Sequence, residues 1–262
     1  MEKRIGIIGF GNIAQAVARG LTATGACAAE RLCACAAHFD RLQKNAAALG
    51  VRAFERAEDV VSWSDFVVLA VKPYMVEAVL APLRELLADK VLISVVSGYD
   101  FAAYEKLLSP ETRHISAIPN TPIAVGEGIM ICEDRHSLRA EEMADFEAVF
   151  GRAAMLESVP ARLFSIAGTL SGCTPAYTAM YLEALADAGV KHGLPRATAY
   201  RVAAKMLCGT GKLYLETGTH PGAMKDAVCS PGGTTIRGVA ALERGGFRAA
   251  VLDAIDAAEG EA

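Results

Sequence analysis

The chain has little that would suit it to a polyanion, a metal or a membrane. Its 262 residues carry 26 Lys and Arg against 30 Asp and Glu, a net charge of −4, with no basic stripe. Such a chain has no electrostatic footprint for nucleic acid. An anionic cofactor stays allowed, because backbone amides at a helix start hold phosphate whatever the net charge. Seven cysteines, an odd number, are scattered without a C-x-x-C pair. No histidine or second cysteine pair completes a metal site, so no metal is expected. Cys33 and Cys35 share one face of a predicted strand, and the cysteines read as small buried hydrophobes of a reducing cytosol. Leu163–Leu182 is free of charge and long enough to span a bilayer. It contains Ser165, Gly168, Thr169, Ser171, Pro175 and Thr178, so it reads as buried protein interior rather than lipid-facing helix. Arg4–Ile8 already reads as a structural strand, which sets the expectation of no leader and a cytoplasmic location.

Aromatic residues make up only 6% of the chain while 53% is hydrophobic, mostly Ala, Val, Leu and Ile. That composition suits packed helices and buried parallel strands. Short apolar runs at Arg4–Ile8, Arg31–Ala36, Phe66–Val71, Val91–Val95 and His114–Ile118 alternate with helical patterns at Ile13–Ala23, Asp40–Leu49, Tyr74–Leu87 and Phe101–Leu108. The alternation predicts an open parallel sheet covered on both faces. Gly128–Cys132 and Ala153–Leu156 read as two edge strands around a helix near Arg139–Phe150. After Glu157 the strand signals stop. Tyr177, Tyr181, Ala184, Leu185 and Ala188 fall on one helix face, and further helices are expected near Arg196–Leu215, Thr235–Arg244 and Phe247–Ala258. Small residues suggest that these helices pack closely. The expected fold is an α/β Rossmann-type N-terminal domain over residues 1–157, followed by an all-α C-terminal domain over residues 158–262.

The first strand runs into Gly9-Phe10-Gly11-Asn12-Ile13-Ala14, a G-x-G-x-x-A turn opening a helix. Gly9 permits the turn, Gly11 admits the pyrophosphate, and Ala14 keeps helix and sheet close. Free amides at the helix start then face the phosphates. Without a nucleotide the same pattern is a plain strand-to-helix turn. The candidate cofactor contacts are Ile8, Gly9, Phe10, Gly11, Asn12 and Ile13. The second strand ends Cys35-Ala36-Ala37-His38-Phe39 with no carboxylate before Asp40. Ala36 and His38 are therefore candidates, and with Arg41 they favour NADPH over NADH; otherwise His38 and Arg41 are ordinary surface residues. Ala70, Val71, Lys72 and Pro73 close a strand at the ligand-binding edge. Pro119-Asn120-Thr121-Pro122 makes a rigid turn that places Asn120 near the nicotinamide end or is purely structural.

Cys229-Ser230-Pro231-Gly232-Gly233-Thr234-Thr235 precedes a helix. Pro231 and the glycines pre-shape a loop whose amides suit a small anion such as a carboxylate. The alternative is an elaborate cap made by Thr234 and Thr235.

Together these residues resemble the pyrroline-5-carboxylate reductase family. The resemblance runs through Gly9–Ala14, Ala70–Pro73, Pro119–Pro122, Ser171-Gly172 with Pro175-Ala176-Tyr177, Glu183–Gly189, Gly193–Arg196 and Ser230–Thr235 with Leu242-Glu243. It implies homodimers through intertwined C-terminal helices, decamers in many members, and reduction of the cyclic imine Δ1-pyrroline-5-carboxylate to L-proline with NADPH or NADH. It further implies that Ser230, Gly232, Gly233, Thr234 and Thr235 bind the substrate carboxylate. Thr235, with Ser230, becomes the catalytic candidate, its hydroxyl facing the ring nitrogen. The chain departs from the family at Ser116-Ala117-Ile118, where Arg-x-Met is usual. It departs again at Cys173, where Ser or Gly is usual, and at Ala161-Arg162, where an acid is common. These departures keep open a different cyclic imine acid as substrate. A non-catalytic NADP-binding regulator would have no need of the Ser230–Thr235 loop. A β-hydroxyacid dehydrogenase would need a lysine that Thr174–Val190 lacks.

Overall fold

The computed structural model describes residues 3–260. Strands are β1 (Ile5–Ile8), β2 (Leu32–Cys35), β3 (Arg52–Ala53), β4 (Phe66–Leu69), β5 (Val91–Ser94), β6 (Arg113–Pro119), β7 (Gly128–Glu133) and β8 (Ala154–Val159). They form one sheet in the order β3-β2-β1-β4-β5-β6-β7-β8. Pairing is parallel except between β6 and β7. The four-residue runs of β1, β2, β4 and β5 are buried throughout, as strands covered on both faces must be. From β1 the chain first winds outward to β2 and β3, then returns to β4 on the other side. That reversal leaves a crevice at the carboxyl ends of β1 and β4.

The two faces have separate cores. Ile5, Ile7, Ala34 and Val68 pack with Val17 and Leu21 of α1 (Asn12–Ala23), Leu42 of α2 (Phe39–Ala47), and a phenylalanine pair further along the chain. On the opposite face, Ile8, Cys33, Val67 and Leu92 meet Val60 and Val61 of α3 (Ala57–Trp63), Leu80 of α4 (Val76–Leu80) and Tyr104 of α5 (Phe101–Glu105). The phenylalanine pair of the first face is Phe146 and Phe150 of α6 (Ala140–Phe150), ring centroids 5.0 Å apart.

Several expectations need correcting. The helix expected over Tyr74–Leu87 is broken into 3-10 turns at Pro73–Met75 and Ala81–Leu83 around a short α4, because Pro82 cannot continue the hydrogen-bond ladder. Strand β3 and helix α3 lie in a stretch with no assigned element. Leu163–Leu182 is not one buried segment. It is divided at Cys173 between α7 (Ala161–Gly172) and α8 (Thr174–Lys191), and Leu170 and Met180 are 61% and 69% exposed.

By contact the chain forms two compact units, Met1–Pro175 and Ala176–Ala262. Helix α7 packs on β6 and β7 and so counts with the first. The second holds most of α8, then α9 (Arg196–Thr217), α10 (Pro221–Asp226), α11 (Thr234–Arg244) and α12 (Phe247–Glu259). Tyr181 and Phe247 join α8 to α12, rings 5.9 Å apart. Among its described residues only Ala186, Ala199 and Ala203 are buried. The close packing expected within this domain is therefore not achieved inside one chain. No described helix is long and apolar enough to cross a membrane.

Candidate active site

The crevice at the switch point is a cleft of about 900 Å³. Ile8, Cys35 and Ala70–Lys72 bring the ends of β1, β2 and β4 to it, and Gly11, Asn12 and Ile13 bring the start of α1. The turn is tight. Gly9 has φ +90, donates its N–H to Cys35 O at 2.9 Å, and would place a Cβ 2.5 Å from Ala70 O. Only glycine fits there. Gly11 differs: it is the N-cap of α1, no side chain caps that helix, and a Cβ built on it meets nothing within 4 Å. It is an open cradle at an uncapped helix start with no acidic residue in the first turn, which suits a phosphate.

Ile8, Gly9, Gly11, Asn12, Ile13, Ala36, His38, Ala70, Val71 and Lys72 all line this cleft. Phe10 does not: its ring is buried in the core, and its carbonyl accepts from Gln15 Nε2 at 3.0 Å. Pro73 opens the 3-10 turn behind Lys72. Arg41 is exposed away from the lining, whereas Glu55 and Glu58, unforeseen, belong to it. Cys35 is no nucleophile here, since burial pushes its thiol up to about 11.

A second cleft, about 570 Å³, adjoins the first. Ile13 lines both, with Pro119 in the second and Thr121 in the first. Between these two, Asn120 is buried and its amide is engaged at both its oxygen and its nitrogen. Oδ1 accepts from Ile129 N at 2.9 Å and Nδ2 donates to Ser171 O at 3.1 Å. The side chain ties the turn to β7 and α7. The other walls are Phe164 and Gly168 of α7, Cys173 just after it, and the Val95–Asp100 segment after β5. That segment was missed in the sequence, although the rule that ligands gather at strand carboxyl ends would have flagged it.

In the helical unit, Ser230, Thr234 and Thr235 are exposed. Gly232 turns at φ +68, and a Cβ on Gly233 would overlap the Ser230 hydroxyl. Gly233 is the N-cap of α11 and no side chain caps the helix. The capping alternative for Thr234 and Thr235 therefore fails. One substrate contact also needs correcting: the Gly233 N–H already donates to Ser230 O at 3.0 Å. The Thr234 and Thr235 amides of the first turn stay available for an anion.

The switch-point sheet with its glycine cradle, followed by a helical unit, defines the Rossmann-type oxidoreductases with a C-terminal helical domain. Within that class, residues 161–262 match the pyrroline-5-carboxylate reductase dimerisation family, and residues 4–98 match a family described as NADP oxidoreductase, coenzyme F420-dependent. The chain is 44% identical to the pyrroline-5-carboxylate reductase of Treponema pallidum, covering 97% of this chain and 98% of that one. Against the Escherichia coli enzyme of the same name the identity is 38%, covering 97% and 95%. A crystal structure of Plasmodium falciparum pyrroline carboxylate reductase with NADP bound superposes with a TM-score of 0.88 at 27% identity, covering 98% and 95%. The chain belongs to the pyrroline-5-carboxylate reductase family.

Proposed function

We propose that this protein reduces Δ1-pyrroline-5-carboxylate to L-proline, taking NADPH in preference to NADH. The observation that carries the substrate half is the uncapped first turn of α11, whose free amides face no side chain of their own helix. The Thr234 and Thr235 amides and the Ser230 hydroxyl hold the carboxylate. Gly232 and Gly233 keep the loop low enough for it to approach.

The cofactor residues fit the first cleft: Gly11 leaves room for the pyrophosphate, and His38 and Lys72 offer positive or neutral polar groups where a carboxylate would repel a 2′-phosphate. Glu55 and Glu58 oppose that preference from the same lining. Asn120 contributes by fixing the turn between the clefts. When bound, the reduced nicotinamide supplies hydride to the imine carbon. The protein's part is orientation and charge. The ring nitrogen must carry a proton as the carbon accepts hydride, and the Thr235 hydroxyl hydrogen-bonds that nitrogen. A threonine hydroxyl is a weak acid, so holding an already protonated iminium does more than donating a proton.

Residues 1–157 form the cofactor part and residues 158–262 the substrate and dimerisation part, with α7 carrying the second cleft of the first. The protein works as a homodimer through its C-terminal helices, in the cytoplasm. A steady-state assay with pyrroline-5-carboxylate and its six-membered homologue, each with NADPH and NADH, tests the reading. We expect the highest kcat/KM for pyrroline-5-carboxylate with NADPH. A higher value for the six-membered ring moves the assignment to another cyclic imine acid, the alternative that the departures at Ser116 and Cys173 keep open. No turnover with either imine overturns the reading.

A further inference from the structure

The sheet reaches up to the Val95–Asp100 segment with buried polar groups. Gly98 turns the chain at φ +81, and Ser97, Gly98, Tyr99 and Asp100 face the second cleft. Just behind that wall, Ser116 Oγ on β6 donates to Tyr99 O at 3.1 Å. Glu133 Oε2, at the end of β7, accepts from Phe101 N at 2.5 Å. Both side chains belong to residues 1% exposed. Asp100 caps the same turn, its Oδ1 accepting from Ala103 N at 2.8 Å. The rings of Tyr99 and Tyr104 are 5.5 Å apart, and Tyr104 shares a 2.5 Å hydrogen bond with Ser94.

Burying a carboxylate is costly unless it is used, and Glu133 is used on one backbone amide of the segment that walls the cleft. We infer that Glu133 and Ser116 are positioning residues: they hold Tyr99–Phe101 in place as one wall of the second cleft and so align whatever reacts there. That the nicotinamide end of the cofactor reaches this second cleft, which adjoins the first through Ile13, rests on the proposed function; the clamp itself does not.

The test compares Glu133→Ala, Glu133→Gln and Ser116→Ala with wild type. Two readouts are needed: kcat and KM for pyrroline-5-carboxylate, and the affinities of NADPH and of an adenosine nucleotide without nicotinamide, 2′,5′-ADP. Glu133→Ala should lower kcat and raise KM for the imine, with kcat/KM down at least about tenfold. Its NADPH affinity should fall while 2′,5′-ADP affinity stays within about twofold, because the first cleft, which the proposed function gives to the adenosine part, has no lining residue from Val95–Phe101. Glu133→Gln should recover most of the loss, since its amide oxygen still accepts from Phe101 N–H. If Glu133→Ala does not fold, Ser116→Ala, which removes one hydroxyl, carries the same pattern at about threefold.

Kinetic constants unchanged in Glu133→Ala overturn the inference. So does a Gln variant as impaired as Ala, or an equal loss of 2′,5′-ADP affinity, which would mean general damage. If wild type reduces no cyclic imine, the functional reading has failed. The clamp is then decided by the two affinities, and an unchanged gap between NADPH and 2′,5′-ADP overturns it.

Discussion

Gly9 and Ala70 meet backbone to backbone at the switch point, so closely that a Cβ on Gly9 would lie 2.5 Å from the Ala70 carbonyl oxygen. Gly11, two residues on, faces open space. The two glycines therefore do different work, and substitution separates them. Gly9→Ala forces an L side chain into φ +90 and against backbone, costing on the order of 1–3 kcal/mol, so Tm falls. Gly11→Ser puts a good N-cap residue at the start of α1, so Tm holds or rises, while the hydroxymethyl group enters the cradle. NADPH affinity, followed by fluorescence titration, should drop at least about tenfold. Normal NADPH binding by Gly11→Ser would show that no phosphate approaches there.

This division also shows what could be read in advance. The first cleft was legible because the turn chemistry of Gly9–Ala14 and the apolar runs of β1, β2 and β4 are local signals. Strand β3 and helix α3 were not: Arg52–Ala53 is a two-residue edge strand, too short for any period. Glu55 and Glu58 went unnoticed with them. The wall at Val95–Asp100 depends on contacts with Ser116 and Glu133, residues 17 and 32 positions from their partners, and no spacing rule links them. The exposed apolar residues Leu170 and Met180 of α7 and α8 were misread as interior because composition does not say which copy of the chain does the burying.

Thr235 stands in the first turn of α11 with its side chain exposed. Removing it should leave the fold intact. Thr235→Ala loses a hydrogen bond to a charged ring nitrogen, about 1.5–3 kcal/mol, so kcat should fall about 10- to 150-fold. NADPH affinity should not change, and Thr234→Ala, which keeps its amide, should be affected far less. Full turnover by Thr235→Ala would remove Thr235 from the role given to it here.

Met180 and Leu252, on α8 and α12, are 69% and 65% exposed in the single chain. Apolar surface of that extent is held by association rather than by water. The family match over residues 161–262 names dimerisation, so a second copy is the expected cover. Sedimentation velocity should give a dimer at micromolar concentration, and Leu252→Asp should shift it toward monomer with loss of turnover. A Leu252→Asp protein that still sediments as wild type places the interface elsewhere, and a tenfold mass in wild type would identify a decamer.

His114 sets an acid limit on stability. Its side chain is 1% exposed and stacks on Phe101 at 4.4 Å. Nε2 lies 2.9 Å from Glu105 Oε1, and Nδ1 has no hydrogen-bond partner among the described residues. Burial pushes its pKa below the usual histidine value, an effect that Glu105 only partly offsets. The folded ring thus stays neutral where the unfolded ring takes up a proton. The unfolded state binds more protons, so stability rises with pH. This contribution is complete above about pH 6.5 and is lost as the pH falls from there through the folded value. Glu133, with Asp100, Asp134 and Arg135 around it, acts with the opposite sign, because burial raises its carboxyl. Its stability term is lost as the pH rises through its folded value. The remaining four histidines are exposed. The urea midpoint should therefore be lower at pH 5.5 than at pH 7.5, and His114→Phe, which keeps the stack on Phe101, should remove most of that difference. An equal drop in His114→Phe assigns the acid sensitivity to another group.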